Sequence, residues 1–135
     1  KMTKIIKINH IGLAVEDIDA ALSFWQDALG IQLDHIEDVP SQQARVAFLP
    51  VGESEVELVQ PTNPDSGLAK YLSKKGAGMH HLCLEVEDIE GVLEQLKEKG
   101  IRLIDEAPHD LEGRRMAFIH PKSTGGVLVE LYELK

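Results

Sequence analysis

With one cysteine in 135 residues, the chain can form no disulfide within itself and carries no paired-cysteine motif, which points to a reducing compartment. Cations are also scarce. Fourteen Lys and Arg against 23 Asp and Glu leave a formal charge of −9, which argues against nucleic acid or an anionic membrane as the main partner. The basic residues Lys74, Lys75, Arg114, Arg115 and Lys122 form only local clusters. No apolar run reaches bilayer-spanning length and no secretory leader is visible, so a cytoplasmic protein without a membrane partner is expected. The 43% of hydrophobic residues is enough for one packed domain over 1–135.

The most informative feature is an internal duplication. His10-Ile11-Gly12-Leu13-Ala14-Val15-Glu16-Asp17-Ile18 returns, displaced by 71 residues, as His81-Leu82-Cys83-Leu84-Glu85-Val86-Glu87-Asp88-Ile89. Val56-Glu57-Leu58-Val59-Gln60 is echoed by Gly126-Val127-Leu128-Val129-Glu130. Residues 5–15 alternate as a strand, and Ile18, Ala21, Leu22, Trp25, Ala28 and Leu29 then recur at helical spacing, with Asp17 as N-cap and Gly30 as terminator. Strands at 31–39, 43–51 and 54–60 complete a first βαβββ module over 5–61. Residues 61–77 connect to a second module over 78–134: a strand at 78–86, a helix ended by Gly100, and strands near 101–105, 114–120 and 126–133. The loop 105–113 is a candidate cover for a site. The expected fold is α+β, two tandem βαβββ modules forming a curved mixed sheet around a cleft.

Strand parity puts His10 with Gly12 and Ala14, and His81 with Cys83 and Glu85, on faces turned away from the helices and into that cleft. Gln60 and Glu130 stand near the ends of the two modules. A carboxylate among apolar neighbours is costly unless it meets a cation, a donor or a metal. Two imidazoles, a carboxylate and an amide oxygen make a ligand set suited to a divalent ion such as Co²⁺, Mn²⁺, Ni²⁺, Zn²⁺ or Fe²⁺. His80 lacks a counterpart in the first repeat, where Asn9 stands, and reads as structural or as a donor behind the ligands. Cys83 reads as a packing residue, and no role attaches to His35 or His109.

On these motifs the chain resembles the vicinal oxygen chelate superfamily, built from paired βαβββ modules around a divalent metal. Asn9–Val15, Gly78-Met79-His80-His81-Leu82, and His120-Pro121-Lys122-Ser123 with Gly125–Leu131 narrow the resemblance to its methylmalonyl-CoA epimerase family. The resemblance implies a metal, commonly cobalt, held by His10, Gln60, His81 and Glu130. It also implies interconversion of the (2R) and (2S) forms of methylmalonyl-CoA by a base on each face of C2, an acyl-CoA substrate, a homodimer, and Glu130 as both ligand and catalytic base. Gln43 is the polar residue placed to orient a water, and Arg115, Lys122 and Ser123 are the expected substrate contacts, with Arg114 a further cation. Some members of that family carry a glutamate at what corresponds to Val46. Here residues 41–48 contain no acid, so the second base of the two-base scheme is missing from that stretch.

Three rival functions share parts of this pattern. Lactoylglutathione lyase chemistry of the glyoxalase I type also moves a proton beside a metal-bound oxygen, but the segment from His120 to Leu131 favours CoA. Extradiol ring cleavage would use only His10, His81 and Glu130, and Gln60 as a fourth ligand speaks against it. A non-catalytic small-molecule-binding protein has no need of the four ligands.

Overall fold

Both repeats turn from strand to helix at an aspartate. Asp17 is extended and its carboxylate accepts from the Asp19 amide at 3.2 Å; Asp88 does the same for Gly91 at 3.1 Å. Each supplies an acceptor to amides that have no partner inside the helix. The computed structural model describes residues 3–135; Lys1 and Met2, the first two residues of the expected domain, lie outside the described residues. In chain order the elements are β1 (Ile5–Ala14), α1 (Ile18–Leu22), β2 (His35–Val39), β3 (Ala44–Val51), β4 (Ser54–Pro61), α2 (Gly67–Lys75), β5 (Gly78–Val86), α3 (Ile89–Glu98), β6 (His109–Leu111), β7 (Arg114–Ile119) and β8 (Val129–Leu134). The βαβββ order therefore occurs twice, with α2 in the connector, and the α+β class is as expected.

The chain forms two compact units, one of residues up to His10 with His81–Lys135, the other Ile11–His80. In the second of these the strand order is β2-β3-β4-β1, with Val46 of β3 opposite Val59 of β4. One face packs Leu13, Val15, Ala47, Leu49, Val56 and Leu58 against Ile18 and Leu22 of α1; the other packs Ala14, Ala44, Val46 and Val59 against Leu72 of α2. In the first unit the order is β1-β5-β8-β7-β6; β5 and β8 are parallel, and β6, β7 and β8 antiparallel. Its core joins Ile89, Val92 and Leu93 of α3 to Val86, Ala117, Ile119 and Leu131 of the sheet.

Three local expectations are corrected. The first helix continues past Leu22 as a π-helical segment, Ser23–Ala28, with the Leu29 amide donating to the Phe24 carbonyl five residues back and the Ile31 amide closing the end onto Trp25. Gly30 still ends it, at φ +93°. Residues 31–34 precede β2 instead of extending it, because Gln26 Oε1 takes the Leu33 amide at 2.9 Å. Residues 101–105 make only a bridge from Leu103 to Ile119. There Asp105 Oδ2 accepts from the Phe118 amide at 2.8 Å, so a side chain occupies the place of a ladder carbonyl. The edge strand forms later, as β6, inside what reads in sequence as loop 105–113.

Leu93 is 2% exposed at the centre of the α3 packing. Leu93→Ala is expected to lower unfolding stability by about 2–5 kcal/mol; a urea midpoint unchanged from wild type would show that this helix contributes little to the core.

Candidate metal centre

Three of the sequence-predicted residues converge. His10 lies on β1, His81 on neighbouring β5, and Glu130 on β8, where it pairs with Cys83 of β5. His10 Nε2 and His81 Nε2 are 3.0 Å apart, and Glu130 Oε1 is 3.4 Å from the first and 3.5 Å from the second. The residues are 1%, 9% and 2% exposed. A point equidistant from these three atoms lies about 1.9 Å from each, close to metal–ligand lengths of about 2.0–2.2 Å. The donor set, two imidazoles and a carboxylate, fits a borderline divalent ion.

Alternation along β8 explains the placement. Val129 and Leu131 pack with the α3 core, so Glu130 and Tyr132 face the other way. Tyr132 sits edge-on to His10 with centroids 5.3 Å apart, and Phe118, opposite Glu130 in the ladder, approaches His81 at 6.3 Å. These rings screen the polar atoms from solvent and so strengthen their electrostatics.

Gln60 has a different setting. Its neighbours Val56 and Leu58 pack with α1, and its Oε1 accepts from the Ile18 amide at 2.8 Å, at the helix start. In the second repeat Ile89 stands in the place of Ile18, and its amide donates to Glu133 Oε1, also at 2.8 Å. Gln60 and Glu133 are thus equivalent caps. Three residues before each stands a buried glutamate, Glu57 (9% exposed) and Glu130, on the strand face away from the helix. The first repeat's register counterpart of Glu130 is therefore Glu57, which spacing in the sequence does not single out. Aligning the repeats by hydrogen-bond register instead of by distance from the histidine finds it.

The expected substrate contacts are dispersed. Gln43 is exposed at the turn before β3 with φ +52°, and its carbonyl accepts from the Thr62 amide. Val46 is buried, and the acid opposite it in the ladder is Glu37 on β2. Arg115 is held by Glu90 at 2.5 Å and Asp110 at 3.3 Å, whereas the Arg114 guanidinium lies 5.2 Å from the Tyr132 ring centre. Ser123 Oγ accepts from the Arg102 amide, and Lys122 is exposed after His120, whose ring nitrogen accepts the Lys122 amide. Burial, then Arg102 and Lys122, hold His120 below the ordinary imidazole range. Burial does the same for His80, which meets the Tyr71 ring edge-on.

Residues 9–118 match the model of the glyoxalase/bleomycin resistance protein/dioxygenase superfamily. The chain belongs to this superfamily. Among its relatives is a mouse protein named mitochondrial methylmalonyl-CoA epimerase, 42% identical over 95% of this chain and 73% of its own length. Another, from Cereibacter sphaeroides, is named ethylmalonyl-CoA/methylmalonyl-CoA epimerase, with 34% identity over 95% and 98%. A solved methylmalonyl-CoA epimerase in complex with methylmalonyl-CoA and NH4+ superposes with a TM-score of 0.88 at 33% identity, covering 97% of this chain and 96% of that one. Among the described residues, no helix is long and apolar enough to cross a membrane.

The Gln60 geometry makes a separable prediction. Gln60→Ala is expected to lower stability by about 1 kcal/mol through loss of the cap while leaving Co²⁺ affinity unchanged in a spectroscopic titration. A large loss of affinity instead would make Gln60 a ligand.

Proposed function

We propose that this superfamily member is a metal-dependent isomerase, an epimerase that interconverts the (2R) and (2S) forms of methylmalonyl-CoA. The observation that carries the reading is the buried His10–His81–Glu130 triangle, in a chain whose epimerase relatives match it nearly end to end. His10, His81 and Glu130 would hold the divalent ion, for which we favour Co²⁺ over Mn²⁺, Ni²⁺, Zn²⁺ or Fe²⁺. Spacing from its histidine is what suggests Gln60 as a fourth ligand, but its cap on the Ile18 amide makes it the weaker candidate, and the repeat register supports Glu57 as the counterpart of Glu130. The modules 5–61 and 78–134 remain our division of the duplicated chain, and the lone, buried Cys83 supports a reducing compartment, for which we keep the cytoplasm.

The reaction removes the proton from C2, between a thioester and a carboxylate, and returns one to the opposite face. When bound, a divalent ion would supply Lewis-acid stabilisation for charge building on the thioester. Glu130 accepts the C2 proton as general base, and the neighbouring aromatic rings keep water from its carboxylate. With no acid in residues 41–48, the opposite face exchanges its proton through water, which Gln43 orients, or through an acid elsewhere. Lys122 and Ser123, beside Arg102 and His120, are suited to a CoA phosphate. Arg115 is the weaker candidate because Glu90 and Asp110 already neutralise it. Exposed Ile5, Ile6 and Ile8 on β1 support a homodimer, and sedimentation is expected to return about twice the mass of one chain.

In heavy water, metal-loaded protein is expected to incorporate deuterium at C2 of (2R)-methylmalonyl-CoA, read by mass spectrometry, and metal-free protein is not. Glu130→Gln should reduce exchange by about 10²-fold or more. Absence of exchange with Co²⁺ demonstrably bound would overturn the reading.

A further inference from the structure

The two histidines of the triangle are not equivalent, and the difference lies behind them. Asn9, immediately before His10 on β1, donates from Nδ2 to Glu85 Oε1 at 3.2 Å. A carboxylate can only accept, so this contact fixes which way the amide points. The amide oxygen is thereby turned to His10 Nδ1, 2.7 Å away. An amide oxygen is likewise only an acceptor, so Nδ1 must carry the proton. In a neutral imidazole that leaves the lone pair on Nε2, the atom 3.0 Å from His81 and 3.4 Å from Glu130.

The second repeat lacks the same pieces. His80 stands in the place of Asn9 and packs edge-on to Tyr71 with centroids 4.7 Å apart, while Ala14 stands in the place of Glu85. The carboxylate–amide–imidazole chain therefore serves His10 and has no repeat equivalent at His81.

We infer that Glu85 and Asn9 are positioning residues that lock His10 in its Nδ1–H tautomer and aim its Nε2 lone pair at the metal position. The inference rests on the metal reading above only for its purpose; the tautomer is a property of the metal-free protein. A locked tautomer spares the ion the cost of selecting one ring form from two, and partners behind a metal-binding histidine are typically worth about 10- to 100-fold in affinity.

The test is a long-range proton–nitrogen correlation spectrum of metal-free protein labelled with ¹⁵N-histidine, at about pH 8, where free imidazole is neutral. His10, assigned through its contact with the Tyr132 ring, is expected to show the proton on Nδ1. Asn9→Leu and Glu85→Gln, the latter letting the amide turn over, should shift the ring toward Nε2–H. Asn9→Leu should also weaken Co²⁺ binding by about 10- to 100-fold. The double variant N9D/E85Q exchanges which partner is charged while keeping one acceptor toward His10, and should restore the wild-type tautomer where E85Q alone does not. A wild-type His10 protonated on Nε2, or a tautomer indifferent to Asn9→Leu, overturns the inference, and the wild-type spectrum decides even if a variant fails to fold. The expected tautomer in a wild-type protein that takes up no divalent ion would sink the metal reading and leave the relay intact.

Discussion

A carboxylate as buried as Glu130 is costly in a protein interior unless polar partners replace its water. Its Oε1 lies within 3.5 Å of two imidazole nitrogens, and those nitrogens lie 3.0 Å from each other. Such crowding demands a scaffold that places three side chains from three strands to within a fraction of an ångström. Adjacency of β1, β5 and β8 provides it. The parallel pairing of β5 with β8 in turn demands a crossover. Helix α3, β6 and β7 make up that crossover, and the same segment supplies the α3 core and the Phe118 wall.

Alternation along a strand lets one short segment do two jobs. Glu130 and Glu133 are three apart on β8, so they face opposite ways: one into the triangle, the other to the first amide of α3. Glu57 and Gln60 repeat this on β4, with Gln60 capping α1. Anchoring a helix start to the strand that bears a buried glutamate ties the stability of the fold to the placement of that carboxylate. Differences between the repeats then break the symmetry. Asn9 against His80, and Glu85 against Ala14, give the two histidines of the triangle different surroundings on strands of nearly the same sequence.

Much of the fold was legible because the duplication let each half check the other. The Asp17 N-cap, both glycine stops and the parity of His10 and His81 follow from patterns of this kind. In two of the misread segments a side chain competes with the backbone. Asp105 takes the Phe118 amide and Gln26 takes the Leu33 amide, and neither substitution leaves a periodicity in the sequence. The cap that Gln60 places on the Ile18 amide was hidden for a related reason. Distance from a histidine does not determine strand register, and one step of register exchanges the two faces of a strand.

The sequence alone determined the doubled βαβββ plan, the acidic surface, the absence of an internal disulfide and the pair of inward histidines, because these depend on local periodicity and composition. Tertiary structure decided which acid meets those histidines, that Arg115 is already neutralised, that Gln60 caps a helix, and which way the Asn9 amide points. Each of these turns on a partner distant in the chain. Hydrogen-bond direction and strand register arise only when those partners meet.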